Sequence, residues 1–504
     1  MDFTVREPIA VVGIGCRFPG GISTIKKFWD TLQQGMDIVG DVPKDRFDFS
    51  SFYDHDPQKS GVIRNRKGGF VDDIKSFDAE FFGYYPDSGT RLETVSGSKT
   101  SVFLGTFMYD YLTIQTATEH RDNISPHVAI VTFDTACSSS ITALHLACQN
   151  IWTQESDGAL AGGVNAILRP EPTILMSKAG FLSPDGSCKP FDASANGYVR
   201  SEGAGIVYLK PLSKIQRDND CIYSCIRGSL VNQDGYTPDG FTVPSFAAQA
   251  WLLKTVYAQS SIDPKKIQYV EAHGPGTSVG DPIEANALGN QLGQGRSEDE
   301  PLWIGSSKGN FGHLEGAAGI VAFIKASLVV FYGEIPPQVN HIKPNPSINF
   351  KSLRLAVPSK RIQLHCDHNQ KRLVGVNSFG ARGSNAYVIL EQAPDGTCTC
   401  MKKAEAARVF ILSAKLLSAL AHTAKDLAIH LRSERPSIQD VAYTLNMRRD
   451  QYTQISIVPA NGLDNLCQQL DLLASNKLSK ATVALHKLSG TSPKVAFVFS
   501  GQGG

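Results

Sequence analysis

Seven consecutive residues, Asp134-Thr135-Ala136-Cys137-Ser138-Ser139-Ser140, could hold a nucleophile. Residues 128–133 before them are apolar and β-branched and read as a strand. Residues 141–148 after them carry apolar side chains at helical spacing. Small residues fill the turn between, so Cys137 falls at a helix start, where unpaired N–H groups and the positive dipole end favour a thiolate. The competing reading is a small buried cysteine beside a serine cap. Two histidines lie in glycine-rich turns far along the chain. One is in Glu271-Ala272-His273-Gly274-Pro275-Gly276-Thr277, the other in Lys308-Gly309-Asn310-Phe311-Gly312-His313-Leu314-Glu315-Gly316. Imidazole exchanges protons near neutral pH, so either ring suits acid–base work or stabilisation of a developing oxyanion. A single histidine in such a turn is usually structural, and two accompanying a cysteine nucleophile point to one site.

These stretches, with Gly280-Asp281-Pro282-Ile283-Glu284 and Asn377-Ser378-Phe379-Gly380, closely resemble the β-ketoacyl synthase (ketosynthase) domain of type I polyketide synthases, of the iterative, fungal-like kind. Further agreement comes from residues 8–21, Gly162-Gly163-Val164-Asn165, residues 191–200 and Val231-Asn232-Gln233-Asp234-Gly235. The resemblance implies decarboxylative Claisen condensation. An acyl group moves from a carrier thioester to Cys137, malonyl on a carrier protein loses carbon dioxide, and the enolate attacks the acyl-Cys. In that scheme His273 and His313 stabilise the enolate as neutral imidazoles, Lys308 orients the site and Glu315 supports it. The backbone N–H groups of Cys137 and Ala381 form the oxyanion hole, and Thr277 binds the phosphopantetheine arm. No cofactor and no metal are expected. The implied partners are an acyl carrier protein, acyl and malonyl thioesters, and a second copy of the chain in a homodimer.

Elements about the Cys turn and both histidines must position them. Apolar strands such as residues 205–209 alternate with helices such as 245–258, which predicts a parallel sheet covered by helices. Two such halves fit the thiolase-like αβαβα duplicated α/β fold that the resemblance implies. A domain of residues 1–394 is expected, then a small α/β linker region at 395–492 with helices near 416–431 and 438–445. Residues 493–504 resemble the opening strand and Gly-Gln-Gly turn of an acyltransferase, so the chain reads as the N-terminal fragment of a larger synthase.

Several positions depart from the family pattern. The stretch 84–133 is shortened by about two helices, each near the mean of ~11–12 residues. Pro275 stands where a carrier-binding Thr is usual, Ala381 and Arg382 replace Phe and Gly, and Tyr387 replaces His. Arg382 is unfavourable if its backbone needs φ > 0. These departures leave an alternative function: an impaired or inactive fragment that only binds carriers or partner subunits. A degradative thiolase fits less well, because its second catalytic Cys has no counterpart; Cys366 lacks a glycine-rich setting.

Composition excludes other classes. Of 504 residues 42% are hydrophobic and 19% charged, as in a globular protein with a large core. A net charge of +1 gives no support to nucleic-acid or polybasic membrane binding. The ten cysteines include the close pairs Cys221/Cys225 and Cys398/Cys400 but no metal-site spacing, and suit a reducing cytosol. The longest apolar stretch, residues 319–332, contains Lys325 and is short for a membrane span.

Overall fold

A computed structural model describes residues 6–74, 100–107, 131–394 and 409–486, with a few short interruptions inside these ranges. Most of the shortened stretch 84–133, the boundary near 395–403 and the strand-and-turn at 494–504 lie outside the described residues. The chain divides into two compact units, the second containing Thr399–Gly504.

The first unit is built on one 11-stranded sheet. Its strands in chain order are β1 (Ile9–Arg17), β2 (Thr100–Gly105), β3 (Val131–Phe133), β4 (Gly158–Asn165), β5 (Gly203–Pro211), β6 (Ser224–Gln233), β7 (Tyr269–Glu271), β8 (Leu302–Gly305), β9 (Leu355–Ala356), β10 (Leu373–Phe379) and β11 (Ser384–Glu391). In space they run β9-β8-β7-β10-β11-β6-β1-β5-β4-β2-β3. The seam is the antiparallel pair β1–β6, joined at Ile9↔Ile226. Outward from β1 the next pairs are antiparallel, antiparallel, parallel, parallel. Outward from β6 the same four relations follow in the same order, before the short parallel edge strand β9. Two halves of one design meet at the seam, as the duplicated reading expects.

The expectation of a parallel sheet needs correction, since each half is mixed. Residues 380–383 are too few for a crossover, so β10 and β11 must pair antiparallel, with Phe379 opposite Asn385. Parallel pairing is kept for the strands that feed the Cys and His turns.

Two helices form the apolar middle of this unit. Helix α1 (Ser139–Trp152) follows the Cys turn, and α2 (Gly280–Leu288) and α3 (Ala318–Tyr332) follow the two His turns. Side chains of α1 and α3, among them Ile141, Leu144, Ile320, Phe323 and Ile324, share one core with β1, β4 and β5. The span Glu315–Tyr332 has the length and apolarity of a membrane helix, but 89% of it is buried in this core. Its Lys325 reaches Glu271 Oε2 at 2.8 Å, which accounts for a charge in an apolar helix.

The second unit has three antiparallel strands, β12 (Val409–Ala414), β13 (Gln454–Pro459) and β14 (Val483–His486). Helices α4 (Leu417–Glu434), α5 (Ile438–Met447) and α6 (Leu463–Ala474) pack on it around Phe410, Leu412, Leu420 and Leu466. The helices read at 416–431 and 438–445 are α4 and α5. The α/β reading of this region expected strands but did not place them, because short apolar runs do not separate strand from helix by periodicity.

Candidate active site

The Cys turn is held by its own small side chains. Ala136 adopts φ 56°, an uncommon left-handed backbone that lifts Cys137 out of the strand direction. Its N–H donates to Asp134 Oδ1 at 3.0 Å. Ser139 Oγ accepts from Thr135 N at 2.9 Å and donates to Ala136 O at 2.6 Å. One 3₁₀ turn, Ala136–Ser138, then leads into α1. Gly105 is required beside it, since a Cβ there would lie 2.3 Å from Ser140 N.

His273 and His313 arrive from the other half. The backbone of His273 is fixed by Glu284 on α2: Oε1 accepts from His273 N and Oε2 from Gly274 N, both at 2.7 Å. Asn377 Nδ2 donates to the same Oε1 at 2.7 Å. Lys308 Nζ donates to His273 O at 2.5 Å. His313 N donates to Val199 O at 2.7 Å, and Ser201 N donates to His313 O at 2.8 Å. The ring centroids of the two histidines are 5.6 Å apart and nearly perpendicular.

Both rings are set in one tautomer by backbone donors. Glu315 N donates to His313 Nδ1 at 2.9 Å, and Phe379 N points at His273 Nδ1 at 3.4 Å. An Nδ1 that accepts leaves the proton on Nε2. Burial holds both imidazoles well below their usual pKa, helped by the Lys308 ammonium. They are therefore neutral Nε2–H donors. The general pKa of imidazole near neutral pH does not apply to these two rings, which burial holds well below it.

Tripeptide 377–379 at the end of β10 joins the Cys turn to the His273 turn. Asn377 reaches Glu284, Ser378 Oγ donates to Cys137 O at 3.0 Å, and Phe379 N faces His273. Behind His313, Arg200 grips Glu315 through Nε to Oε1 at 2.8 Å and Nη2 to Oε2 at 2.9 Å. Arg200 and Glu315 are buried, with side-chain exposures of 3% and 1%.

Cys137, His273, His313, Thr277, Phe379 and Ala381 line one cavity of about 300 Å³. Lys308 and Glu315 lie behind this wall. Thr277 Oγ1 accepts from Gly280 N at 3.1 Å, and Pro275 faces the same space. Arg382 carries no backbone strain, because the positive φ of its turn, 84°, falls on Gly383. Tyr387 is a core residue whose hydroxyl meets that of Tyr257 at 2.7 Å.

The cysteine itself departs from the sequence expectation. Burial, seconded by the Glu315 carboxylate, pushes the Cys137 thiol up to about 12. The N–H of Ala381, Lys308 and the N–H of Cys137 oppose this without overcoming it. The resting group is a thiol, since a helix start cannot offset removal of the anion from water. Alkylation of Cys137 is accordingly expected to accelerate about tenfold per pH unit from pH 7 to 9, as the thiolate fraction does. A plateau below pH 8 in iodoacetamide kinetics would show a stabilised thiolate instead.

Glu284, Arg200 and Ser378 were not assigned roles from sequence. The signal for two of them was slight, a carboxylate flanked by Ile283 and Ala285 and an Arg following Tyr198-Val199; a buried charge needs a partner.

Known families and solved structures match over most of the chain. Residues 6–91 and 126–215 match the β-ketoacyl synthase N-terminal domain, 223–341 its C-terminal domain, and 344–455 the ketoacyl-synthetase C-terminal extension. The first match breaks between 91 and 126, inside the shortened stretch. Phenolphthiocerol/phthiocerol polyketide synthase subunits C and B of Mycobacterium tuberculosis are each 37% identical across 99% of this chain. The chain spans 30% and 35% of those proteins. Among solved structures, an oxazolomycin ketosynthase domain of Streptomyces albus superposes with TM-score 0.88 at 30% identity, covering 98% of this chain and 92% of that one. The ketosynthase from module 6 of the bacillaene synthase of Bacillus subtilis gives 0.83 at 32% identity, covering 95% and 87%.

Proposed function

Because this chain belongs to the β-ketoacyl synthase family of acyl-transferring condensing enzymes, with the thiolase-like fold of its ketosynthase domains, we propose that Cys137, His273 and His313 carry its decarboxylative condensation. The observation that supports this most is the convergence of a buried cysteine and two neutral Nε2–H donors on one cavity.

In the first half-reaction Cys137 sulfur attacks the acyl thioester, and its proton passes to the departing pantetheine sulfur. The tetrahedral oxyanion takes the N–H groups of Cys137 and Ala381, both of which face the sulfur. Proton transfer coupled to attack suits a thiol that is not ionised at rest. In the second half-reaction the malonyl group loses carbon dioxide, and negative charge builds on its thioester oxygen. The Nε2–H groups of His273 and His313 are the donors for that oxygen; charged imidazolium is not needed. The enolate carbon then attacks the acyl-Cys carbonyl, and the Cys137 thiolate leaves and regains a proton.

Phosphopantetheine is read as the substrate's arm, entering past Thr277, with no resident cofactor. Acyl and malonyl carrier proteins, polyketide intermediates and a homodimeric assembly belong to the same proposal. So do domain limits at 394 and 492, with residues 493–504 opening an acyltransferase-like segment. The alternative of an inactive binding fragment draws no support from the described residues. The stretch that motivated it lies mostly outside them.

Incubation with an acyl thioester and peptide mass mapping tests the assignment. One acyl group on Cys137, absent from Cys137→Ala, is expected. Labelling that persists in the variant would exclude Cys137.

A further inference from the structure

The turn 380–383 carries Ala381, whose N–H is half of the proposed oxyanion hole, and it is tied down unevenly. Toward β6 its backbone carbonyls are held: Asp234 N donates to Gly383 O at 2.7 Å, and the Gln233 side chain donates from Nε2 to Arg382 O at 3.0 Å. Within the turn Gly383 N donates to Gly380 O at 2.8 Å. Toward the Cys turn the tie is a side chain. Arg382 Nη1 lies 3.7 Å from Asp134 Oδ2, and its guanidinium sits 6.0 Å from the ring centroid of Phe107, a residue of the cavity wall. The other oxygen of Asp134 accepts the N–H of Ala136, the residue before Cys137. One carboxylate thus touches the backbone segment of one oxyanion donor and the side chain that follows the other. The two turns are close enough that a Cβ on Gly380 would fall 2.1 Å from Thr135 O.

We propose that Arg382 is a positioning residue for acyl transfer: tied to Asp134 and laid over Phe107, it straps the turn 380–383 to the Cys turn and keeps the Ala381 N–H on the reacting carbonyl. This rests on Cys137 being the acylated residue. The strap is a weak one by construction. Arg382 is 68% exposed and Asp134 17%, so the ion pair is screened by salt and can open without unfolding anything. The N–H it steadies bonds an oxygen whose charge exists only in the transition state. Loosening it therefore lowers kcat and leaves KM nearly unchanged.

The test is the rate of Cys137 acylation by an acyl thioester of N-acetylcysteamine, followed by intact mass. In Arg382→Gln, kcat should fall about three- to fivefold, the scale of an exposed ion pair, with KM within about twofold. Arg382→Lys should recover part of the loss. Asp134→Asn keeps the acceptor for Ala136 N and should fall by a similar factor, with the double variant no slower than either single one. Raising NaCl to about 1 M should slow the wild-type protein toward the Arg382→Gln rate and leave that variant unchanged. Equal rates in wild type and Arg382→Gln, or additive losses in the double variant, would overturn the strap alone. Absence of any Cys137 adduct in the wild type would overturn the functional reading and the strap together.

Discussion

Changing His273 or His313 to Ala should abolish malonyl decarboxylation while leaving acylation of Cys137 within about tenfold of wild type. In the proposed scheme each ring supplies one Nε2–H to an enolate oxygen that acquires its charge only in the second half-reaction. Removing one such preorganised donor costs on the order of 10²–10³ in rate. The first half-reaction as proposed uses backbone donors at Cys137 and Ala381, which survive either substitution. Because burial already holds both rings neutral, decarboxylation should stay flat from pH 8 down to about pH 6, the usual range of histidine titration. A rate that rises as pH falls through 6.5 would mean that imidazolium does the work. Retention of decarboxylation in both single variants would remove these roles.

Breaking the Arg200–Glu315 pair should produce the largest loss of stability. Both side chains are buried and bidentate, so Arg200→Met strands a carboxylate away from water. Breaking one partner of such a pair costs roughly 3–5 kcal/mol, which lowers the melting temperature by about 5 °C for a unit of this size. Glu315 also directs His313, through its backbone N–H and its unusual φ of 49°. Decarboxylation should therefore fall with stability, and acylation should fall less. Adding Glu315→Gln to Arg200→Met removes the stranded charge and should restore much of the melting temperature. A single variant that melts within 1 °C of wild type, by an approximate two-state reading, would show the pair to be dispensable.

The sequence carried the parts of the site that depend on local pattern. Cys137 stood out because small residues joined a strand to a helix, and that order is found, with a 3₁₀ turn at Ala136–Ser138 that the pattern did not announce. His273 and His313 were legible because each lies in a glycine-rich turn and two such histidines accompany the cysteine in the order of the resembled family. The missing parts depend on partners distant in sequence. Glu284 is one carboxylate among many until His273, Gly274 and Asn377 close on it. Arg200 meets Glu315 across 115 residues. The protonated state of Cys137 was missed for the same reason: a helix start is visible in sequence, and the depth of burial is not. The mixed sheet was hidden because alternating β and α units suggest parallel pairing, whereas the direction of β11 is decided by the four-residue turn before it.

The most direct measurement loads Cys137 with an acyl group, removes free thioester and then adds malonyl carrier protein. The account predicts that the acyl adduct disappears, that one equivalent of carbon dioxide is released, and that a β-ketoacyl carrier product forms in the same amount, with none of these in Cys137→Ala. An acyl-enzyme that persists through the chase, or carbon dioxide released without β-ketoacyl product, would contradict it.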